Sequence, residues 1–438
     1  MDTERAAVSA AAQALSAACE NVLDGMPADA VGGIVPAFVA SPVSTQEAAA
    51  VLRAAAAHGL AVVPRGAGTG LAWGAAPSRC DLVVDLREMN QVLEHASGDL
   101  VARVQAGATI GHLASVLAQA GQELVIDAPA QATVGGVIAT GTAGPRRLRY
   151  GAPRDLLIGI TAVRADGVVA HSGGKVVKNV AGYDLGKLLT GSQGTLGLIT
   201  EATFRLHPVP VAVAYVTAEF AAPERAGAVT AVSSAAGSAL VPSAVELDWP
   251  GGPAETPRSL RVGVLLEGTE SGVAERAKQM SELLASASGS PAVAVSDSPP
   301  ARWGQVPATG TVVRVSFWVS ALGDVLEAVT AAGADAGTRA AITGSAGAGV
   351  LYACLDPAAP SPAGADEAAG RFVAGLRERL APLNARGPRT SAVVLTGPPE
   401  VLAGAAAYGP VPGAALMHAV RDQFDPDHRM FPGRLTAG

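Results

Sequence analysis

The sequence predicts an α+β protein with two principal domains. A chain of 438 residues is long enough for two or three domains, each with a core of its own. Up to Pro210, helix-like and strand-like segments follow one another with clear apolar periodicity, whereas from there to about Gly413 the chain is richer in Ala, Pro and Gly and less regular. We therefore expect an N-terminal helical segment, a first domain, an α+β second domain and a closing segment, at residues 1–30, 31–210, 211–410 and 411–438.

The composition argues against several classes of protein. The formal net charge is -7, and no basic stripe of the kind that binds nucleic acid is present. No run of strongly apolar residues is long enough to predict a membrane-spanning helix, and the acidic N-terminus indicates a surface helix rather than a secretory signal. Cys19, Cys80 and Cys354 are far apart and form no C-x-x-C pair. We therefore expect neither a disulfide framework nor an iron–sulfur cluster in this chain, and a cytoplasmic setting.

The first domain begins with a helix and a strand that lead into a glycine-rich loop. In "STQEAAAVLRAAAAHG" the apolar residues recur with helical spacing, Ser44 or Thr45 is a suitable N-cap, and Gly59 stands where a C-terminal glycine belongs. The stretch "LAVVP" that follows predicts a strand.

The rest of the first domain alternates strands and a helix. "CDLVVDL" and "DLVARVQAG" predict strands, and "ATIGHLASVLAQAG" predicts a helix that ends before Gly121. "LLIGITAVRADGVVAHSGG" predicts a hairpin that turns at Asp166 and Gly167, and "GLITEATFRLHPVP" predicts a strand that ends at prolines.

The second domain has fewer clear signals. "LRVGVLLEG", "TVVRVSFWVS" and "GVLYACLD" predict strands, and "GVAERAKQMSELLASA" and "ADEAAGRFVAGLRERLAPL" predict helices. "SGSPAVAVSDSPPARW" and "DPAAPSPAGAD" are expected to be loops, and the tail a helix followed by turns. This alternation indicates an α+β domain.

The loop "PRGAGTGLAWG", from Pro64 to Gly74, is the first candidate site. A P-loop needs a lysine after its last glycine, and none follows Gly70. A Rossmann turn opens a helix, whereas this loop runs into a strand. A third reading is a loop between strands whose backbone amides form an anion-binding concavity, with the Thr69 hydroxyl as a further donor. A glycine-rich surface loop without a ligand explains the loop alone equally well.

Two further glycine-rich segments favour a large ligand. "IDAPAQATVGGVIATGTAGPRRLRYG" offers little to bury, which suits a flat ligand lying against the backbone, and Arg146, Arg147 and Arg149 suit either phosphate or solvent. "GGKVVKNVAGYDLGKLLTGSQGTLGLIT" sets polar residues among glycines, and Asp184 there suits either a ligand contact or the cap of the short helix "LGKLL". Three such segments among well-patterned elements predict a large cofactor rather than three unrelated turns.

In this order the three segments resemble the FAD-binding domain of the vanillyl-alcohol-oxidase (PCMH-type) family of flavoproteins, over roughly residues 31–210. "KNVAGYDLGKLLTGSQGTLGLITEATFRLHP" is particularly similar to the FAD-binding E subunits of bacterial glycolate oxidases. The tail "FDPDHRMFPGR" resembles the closing segment of the family, which returns to the FAD domain. The resemblance implies a two-subdomain FAD-binding domain followed by an α+β cap domain.

The resemblance also implies which residues bind FAD. The first loop would wrap the diphosphate with its backbone, the second segment would line the diphosphate and flavin, and the third would add further contacts. The implied residues are Arg65, Gly66, Ala67, Gly68, Thr69 and Gly70; Pro129, Thr133, Gly135, Gly136, Thr140 and Gly141; and Asn179, Asp184, Gly197 and Ile199. Family members often carry glutamate where this chain has Gln193, which argues against a charged contact there.

The resemblance also bears on how FAD is held. Some relatives attach FAD covalently through a histidine of the first loop, but residues 64–78 contain no histidine. His58 and His95, on either side of the loop, are expected to be structural or solvated. We therefore predict non-covalent FAD.

The cap domain of this chain differs from that of many relatives. Relatives that oxidise 2-hydroxy acids often hold a divalent metal there through paired histidines, and the metal anchors the substrate. No histidine lies between Pro208 and Met417, and acidic residues do not cluster there. We therefore expect no metal site.

The resemblance implies an FAD-binding oxidoreductase subunit, similar to those of glycolate oxidase, that oxidises a 2-hydroxy acid and passes electrons on within a complex. Its partners would be a second flavoprotein and an iron–sulfur subunit, which would also allow a setting at the membrane periphery. The alternatives are a free-standing, metal-independent FAD oxidoreductase for another small alcohol or hydroxy acid, and a structural subunit whose FAD does not turn over. A base and a carboxylate-binding cation are needed. His207, Tyr183, Arg146, Arg147 and Arg314 are candidates, and none is assigned as catalytic.

Overall fold

The computed structural model describes residues 2–174, 184–221, 225–250, 259–289, 291–355, 365–385, 389–403 and 405–434. The chain divides into two compact units. The first unit comprises Met1–Ala143, Ala152–Val209 and Gly413–Thr436, and the second comprises Gly144–Gly151, Pro210–Pro412 and Ala437–Gly438. Each unit therefore combines segments that are distant in sequence.

The helices are numbered in chain order. They are α1 (Asp2–Ala18), α2 (Thr45–Ala57), α3 (Ile110–Ala118), α4 (Val134–Thr140), α5 (Arg147–Tyr150), α6 (Pro153–Leu156), α7 (Leu185–Leu189), α8 (Arg225–Ala236), α9 (Glu270–Ala285), α10 (Leu322–Asp335), α11 (Ala365–Leu380), α12 (Pro399–Leu402), α13 (Ala405–Tyr408) and α14 (Ala414–Phe424).

The strands are numbered in the same way. They are β1 (Val22–Asp24), β2 (Phe38–Ala40), β3 (Val62–Arg65), β4 (Leu82–Asp85), β5 (Val92–Ala96), β6 (Val101–Gln105), β7 (Gln122–Glu123), β8 (Leu157–Val163), β9 (Val169–Gly173), β10 (Leu198–Arg205), β11 (His207–Pro208), β12 (Ala212–Phe220), β13 (Ala244–Trp249), β14 (Leu260–Gly268), β15 (Ala292–Ser296), β16 (Thr311–Phe317), β17 (Ala340–Gly344), β18 (Val350–Leu355) and β19 (Thr390–Thr396).

The first unit contains two main sheets. A four-stranded sheet has the order β1-β2-β4-β3, in which β3 and β2 both run parallel to β4. A five-stranded antiparallel sheet has the order β5-β6-β10-β8-β9, and β7 pairs with β11. Buried side chains of both main sheets and of α1 to α4 form a single core.

Several local predictions for the first unit are confirmed. The Ser44 side chain caps α2 by accepting a hydrogen bond from the Glu47 amide, 3.2 Å away, and Gly59 follows that helix with φ +62°. The hairpin of β8 and β9 turns at Gly167, whose φ is +79°. One feature of the second glycine-rich segment was not predicted, because it contains the helix α4 rather than only extended chain and turns.

The second unit is built on an eight-stranded antiparallel sheet with the order β15-β12-β14-β13-β17-β18-β16-β19. Alternate residues of β14, such as Val262 and Val264, belong to a core shared with α8, α9, α10 and α11. The intervening residues of β14, such as Arg261 and Glu267, therefore lie on the opposite face of the sheet. That face carries polar side chains and is called the polar face below.

The sequence identified only part of this sheet. β14, β16 and β18 match the predicted strands, and α9 and α11 match the predicted helices. The expectation of a loop over "SGSPAVAVSDSPPARW" is wrong, because β15 lies there and pairs with β12. Prolines and serines on both sides of this short strand concealed it. The second expected loop, "DPAAPSPAGAD", lies mostly outside the described residues.

Within the part of the chain that the structure describes, no helix combines the length and apolarity that crossing a bilayer requires.

Candidate functional site

A cleft in the first unit, with an empty volume of about 750 Å³, contains most of the predicted binding residues. This volume includes space that is open to solvent. Twelve predicted residues line the cleft: Arg65, Gly66, Ala67, Gly68, Thr69, Gly70, Thr133, Gly135, Gly136, Thr140, Gly197 and Ile199. The remaining lining residues are Pro64, Leu71, Leu86, Ala106, Ala139, Gln193, Gly194, Leu198, Phe431 and Arg434.

The first wall of the cleft is the glycine-rich loop that connects β3 to β4, as the strand-to-strand reading predicts. The amides of Ala67, Gly68, Thr69 and Gly70 donate no hydrogen bond to any of the described residues. Gly68 has φ +78°, and a Cβ added there would meet open space within 4 Å. A row of unused N–H groups on an exposed, bent backbone is an anion-binding arrangement.

The second wall is α4, and the loop lies directly against it. A Cβ added at Gly66 would lie 2.0 Å from Thr133 Oγ1, so only glycine permits this approach. Thr133 is the N-cap of α4, since its side chain accepts a hydrogen bond from the Gly136 amide at 3.4 Å. The Gly135 amide donates to the Ala106 carbonyl at 2.7 Å, which attaches the start of this helix to the sheet.

Arg65 lines the cleft, and its guanidinium is paired with carboxylates of the protein. Its guanidinium donates to the Asp85 carboxylate at 2.9 Å and to the Asp29 carboxylate at 2.9 Å. Burial raises the pKa of Asp85, but hydrogen bonds from Arg87 and the charges of Arg65 and Arg87 leave the pKa below its ordinary value. Asp85 is therefore a carboxylate that fixes Arg65 at the start of the loop.

Among its described residues, the third glycine-rich segment lines the cleft from Gln193 onward. Gly197 and Ile199 line the cleft at the start of β10. Asp184 is exposed and caps α7 by accepting a hydrogen bond from the Lys187 amide at 3.3 Å. Of the two alternatives given for Asp184, this is the helix cap. Asn179 lies outside the described residues.

Two other predicted contacts lie apart from the cleft lining. Pro129 is exposed before α4, and Gly141, with φ +65°, is the C-cap of that helix. Sequence reasoning also missed residues that line the cleft. Arg434 and Phe431 belong to the tail "FDPDHRMFPGR", in which no individual residue had been singled out.

The candidate catalytic residues lie outside this cleft lining or outside the described residues. His207 is in β11, paired with Glu123 of β7, and Tyr183 is not described. Arg146 lies in the second unit, 3.5 Å from the buried carboxylate of Glu267. Among the described residues, no group of three or more histidine, cysteine, aspartate or glutamate side chains is arranged to hold a metal ion.

Arg314 and Tyr352 are neighbours on the polar face of the second unit, paired across β16 and β18. Arg314 Nε is buried, and it has no hydrogen-bond acceptor among the described residues. Burial raises the pKa of Tyr352, although the charges of Arg314 and Arg147 oppose this shift. At neutral pH the pair therefore offers a cation and a protonated hydroxyl group.

Comparison with known families identifies the segment that supplies most of the residues lining the cleft. Residues 36–173 match the family described as FAD binding domain. This segment contains the loop, α4 and the strands that position them. The unused amides fit the diphosphate of FAD, and the glycines allow the backbone to approach it closely.

Relatives and solved structures extend the comparison. Glycolate oxidase subunit GlcD from Bacillus subtilis (strain 168) is 38% identical over 178 residues, which cover 40% of this chain and 38% of the relative. D-lactate dehydrogenase from Archaeoglobus fulgidus is 37% identical over 171 residues, covering 39% of this chain and 38% of the relative. The matches thus span well under half of each relative's length.

The p-cresol methylhydroxylase structure with bound substrate superposes with a TM-score of 0.74 at 18% identity, covering 98% of this chain and 97% of that one. This similarity shows that the two chains share a fold. Most of residues 36–173, which match the family described as FAD binding domain, lie in the first unit, and FAD is the cofactor that this match supports.

Proposed function

We propose that this protein is an FAD-dependent oxidoreductase that acts on the CH–OH group of a 2-hydroxy acid, in the manner of glycolate oxidase. The observation that carries the proposal is the row of unused amides from Ala67 to Gly70. They line the cleft and lie within the segment that matches the FAD binding domain family. Both relatives compared above are named for the oxidation of glycolate or D-lactate, which are 2-hydroxy acids. FAD, when bound, would accept the electrons released by the alcohol carbon.

The residues that would hold FAD divide by the chemistry they offer. The amides from Ala67 to Gly70 suit the diphosphate, because they are consecutive N–H groups on one bend that donate to no described residue. Gly66 lets the loop approach α4, and Gly135 lets α4 approach Ala106. Gly197 and Ile199 supply backbone and apolar surface at the other wall of the cleft.

Arg314 is the cation best suited to a substrate carboxylate. An Arg guanidinium binds carboxylates in a bidentate geometry, and Nε of Arg314 has no acceptor among the described residues. Tyr352 beside it would donate a hydrogen bond to the same acid, because its raised pKa keeps the hydroxyl protonated. Arg146 is a weaker candidate, since it already pairs with Glu267.

We further propose that electrons leave through a complex, as the word subunit in the name of GlcD implies for that relative. The partners would be a second flavoprotein and an iron–sulfur subunit. Cys19 and Cys80 are buried in the first unit and Cys354 lies in the second, an arrangement that does not favour a cluster in the described part of this chain. The alternative is a free-standing FAD oxidoreductase for a small alcohol or hydroxy acid.

The test is a comparison of the purified chain with the reconstituted complex. Glycolate and D-lactate are added with an artificial electron acceptor, and bleaching of the flavin absorbance is followed. Activity only with partner subunits supports the complex, whereas bleaching by the chain alone supports the free-standing enzyme. A chain that binds FAD but shows no substrate-dependent bleaching in either setting contradicts the proposed activity.

A matched pair of variants tests the carboxylate anchor. Arg314→Gln should raise the KM for the hydroxy acid by about tenfold or more, since a charged hydrogen bond is lost. Arg261→Gln is the control, because Arg261 lies on the same face of the sheet but is paired with Glu219 at 2.9 Å. Equal KM values for the two variants would contradict the role of Arg314.

A further inference from the structure

The closing segment, defined here as residues 429–434, contacts the chain on both sides of the glycine-rich loop. Phe431 donates its amide to the Val62 carbonyl at 2.8 Å, beside the strand β3 that enters the loop. At the other end, Ser78 donates its amide to the Pro432 carbonyl at 2.8 Å. The loop therefore spans two points that the closing segment fixes.

Between these points, the guanidinium of Arg434 contacts the loop itself. Nη1 donates to the carbonyls of Leu71 and Ala75, at 3.2 Å and 3.0 Å. Nη2 donates to the Gly70 carbonyl at 3.2 Å. Nε donates to Gln193 Oε1 at 2.9 Å, which connects the loop to the third glycine-rich segment. With only 3% of Arg434 exposed, these contacts are shielded from water.

These contacts fix the orientation of three peptide groups in the loop. In a planar trans peptide the C=O and N–H point in opposite directions, so fixing the Gly70 carbonyl also fixes the Leu71 amide. That amide donates to the Gly68 carbonyl at 3.0 Å and closes the turn that contains Thr69. On the side that contacts Arg434 the loop presents the carbonyls of Gly70, Leu71 and Ala75. The amides from Ala67 to Gly70 donate no hydrogen bond to the described residues, so they are available to a ligand.

We infer that Arg434 is a positioning residue for FAD: it holds the loop in the conformation whose amides bind the diphosphate. The inference rests on the assignment of this loop to FAD but does not depend on which alcohol is oxidised. Its essential element is the geometry of the guanidinium, which spans three carbonyls and an amide oxygen. An ammonium group carries the same charge at a single point and cannot reach all four acceptors.

Lysine and glutamine variants therefore separate geometry from charge. Apoprotein of the wild type, Arg434→Lys and Arg434→Gln is titrated with FAD, and the Kd is measured from flavin fluorescence. Both variants should raise the Kd for FAD by about tenfold or more, because both lose the guanidinium hydrogen bonds that hold the loop. Riboflavin, which lacks the diphosphate, is titrated in parallel and should bind the variants and the wild type with similar affinity.

Arg429→Gln is the matched control. Arg429 is a buried arginine of the same segment, but its guanidinium donates to the Ala165 carbonyl at 2.7 Å, away from the loop. Its FAD affinity should stay close to that of the wild type. If Arg434→Lys bound FAD as tightly as the wild type, the positive charge alone would be sufficient. If Arg434→Gln did so, Arg434 would have no role in FAD binding. Either result overturns the inference. A wild-type chain that takes up no FAD would instead overturn the loop assignment, and the inference with it.

Discussion

Gly68 shows how a residue without a side chain produces a binding site. Its φ of +78° suits glycine, and the space where a Cβ would lie is open. The neighbouring amides have no partner among the described residues, and the charge of Arg65 is held by two carboxylates of the protein. At this loop the chain therefore offers an anion its N–H dipoles rather than the Arg65 side chain.

A Gly68→Val substitution should greatly reduce FAD retention while leaving most of the fold intact. The β-branched side chain opposes positive φ, and it would occupy the open space beside the amides. The measurement is the ratio of flavin to protein absorbance after purification. Gly59→Val is the control, because Gly59 also has positive φ, +62°, and open space, but lies after α2. Normal flavin content in Gly68→Val would contradict the placement of the diphosphate.

Asp85 makes the first unit sensitive to acid. Its side chain is 3% exposed and lies 2.9 Å from Arg65 and 2.6 Å from Arg87. Its folded pKa is lowered, so its contribution to stability is complete above the unfolded pKa, about 3.9, and is lost as the pH falls through the folded pKa.

Asp85→Asn should therefore lower the free energy of unfolding at pH 7 by about 3 kcal/mol, because a buried ion pair loses one partner. The variant should also lose less stability than the wild type when the pH is lowered below about 4. Urea denaturation across this pH range measures both effects. Glu88→Gln, at an exposed site nearby, should leave the curve unchanged. A variant whose acid limb matches that of the wild type would refute the linkage.

At the scale of elements, α4 combines a structural role with a place in the cleft. Thr133 caps the helix and also contacts the loop at Gly66. Thr109 caps α3 in the same way, by accepting a hydrogen bond from the His112 amide at 3.1 Å, but it does not line the cleft. The two caps therefore allow stability and binding to be measured separately.

Thr133→Ala and Thr109→Ala should each lower the free energy of unfolding by about 1 kcal/mol, since each removes an N-cap. Only Thr133→Ala should also weaken FAD binding, because the start of α4 forms one wall of the cleft. Thermal unfolding and FAD titration test the pair. Equal FAD affinity in both variants would exclude α4 from the cofactor site.

The elements that could be predicted from sequence are those that carry their own signals. α2 has a cap, an apolar stripe and a terminal glycine, and the hairpin of β8 and β9 has an Asp-Gly turn. α4 was missed because paired glycines weaken its helical propensity, and its start is held instead by Thr133 and by a contact with Ala106. β15 was missed because it is short and flanked by prolines, and its pairing with β12 is a long-range contact.

At the scale of the whole chain, the first unit combines segments from both ends of the sequence. The composition of the glycine-rich segments predicted a binding site, and twelve of the sixteen residues proposed from these segments line the cleft. Arg434 could not be found in this way, because three of its acceptors are backbone carbonyls more than three hundred and fifty positions earlier. A carbonyl has no sequence signature, so only the folded chain shows this contact.

The residues that line the cleft also determine how FAD can be attached. A covalent link needs a nucleophilic side chain at the cofactor, and among the described residues that line the cleft none is histidine, cysteine or tyrosine. The nearest cysteine in sequence, Cys80, is buried, and burial raises the pKa of its thiol to about 11, which suppresses the reactive thiolate. We therefore expect precipitation of the whole protein with acid to release all of its FAD into the supernatant, because unfolding removes every backbone contact at once. The absorbance of pellet and supernatant measures this, and flavin retained in a washed pellet would show a covalent link that the cleft as described does not provide.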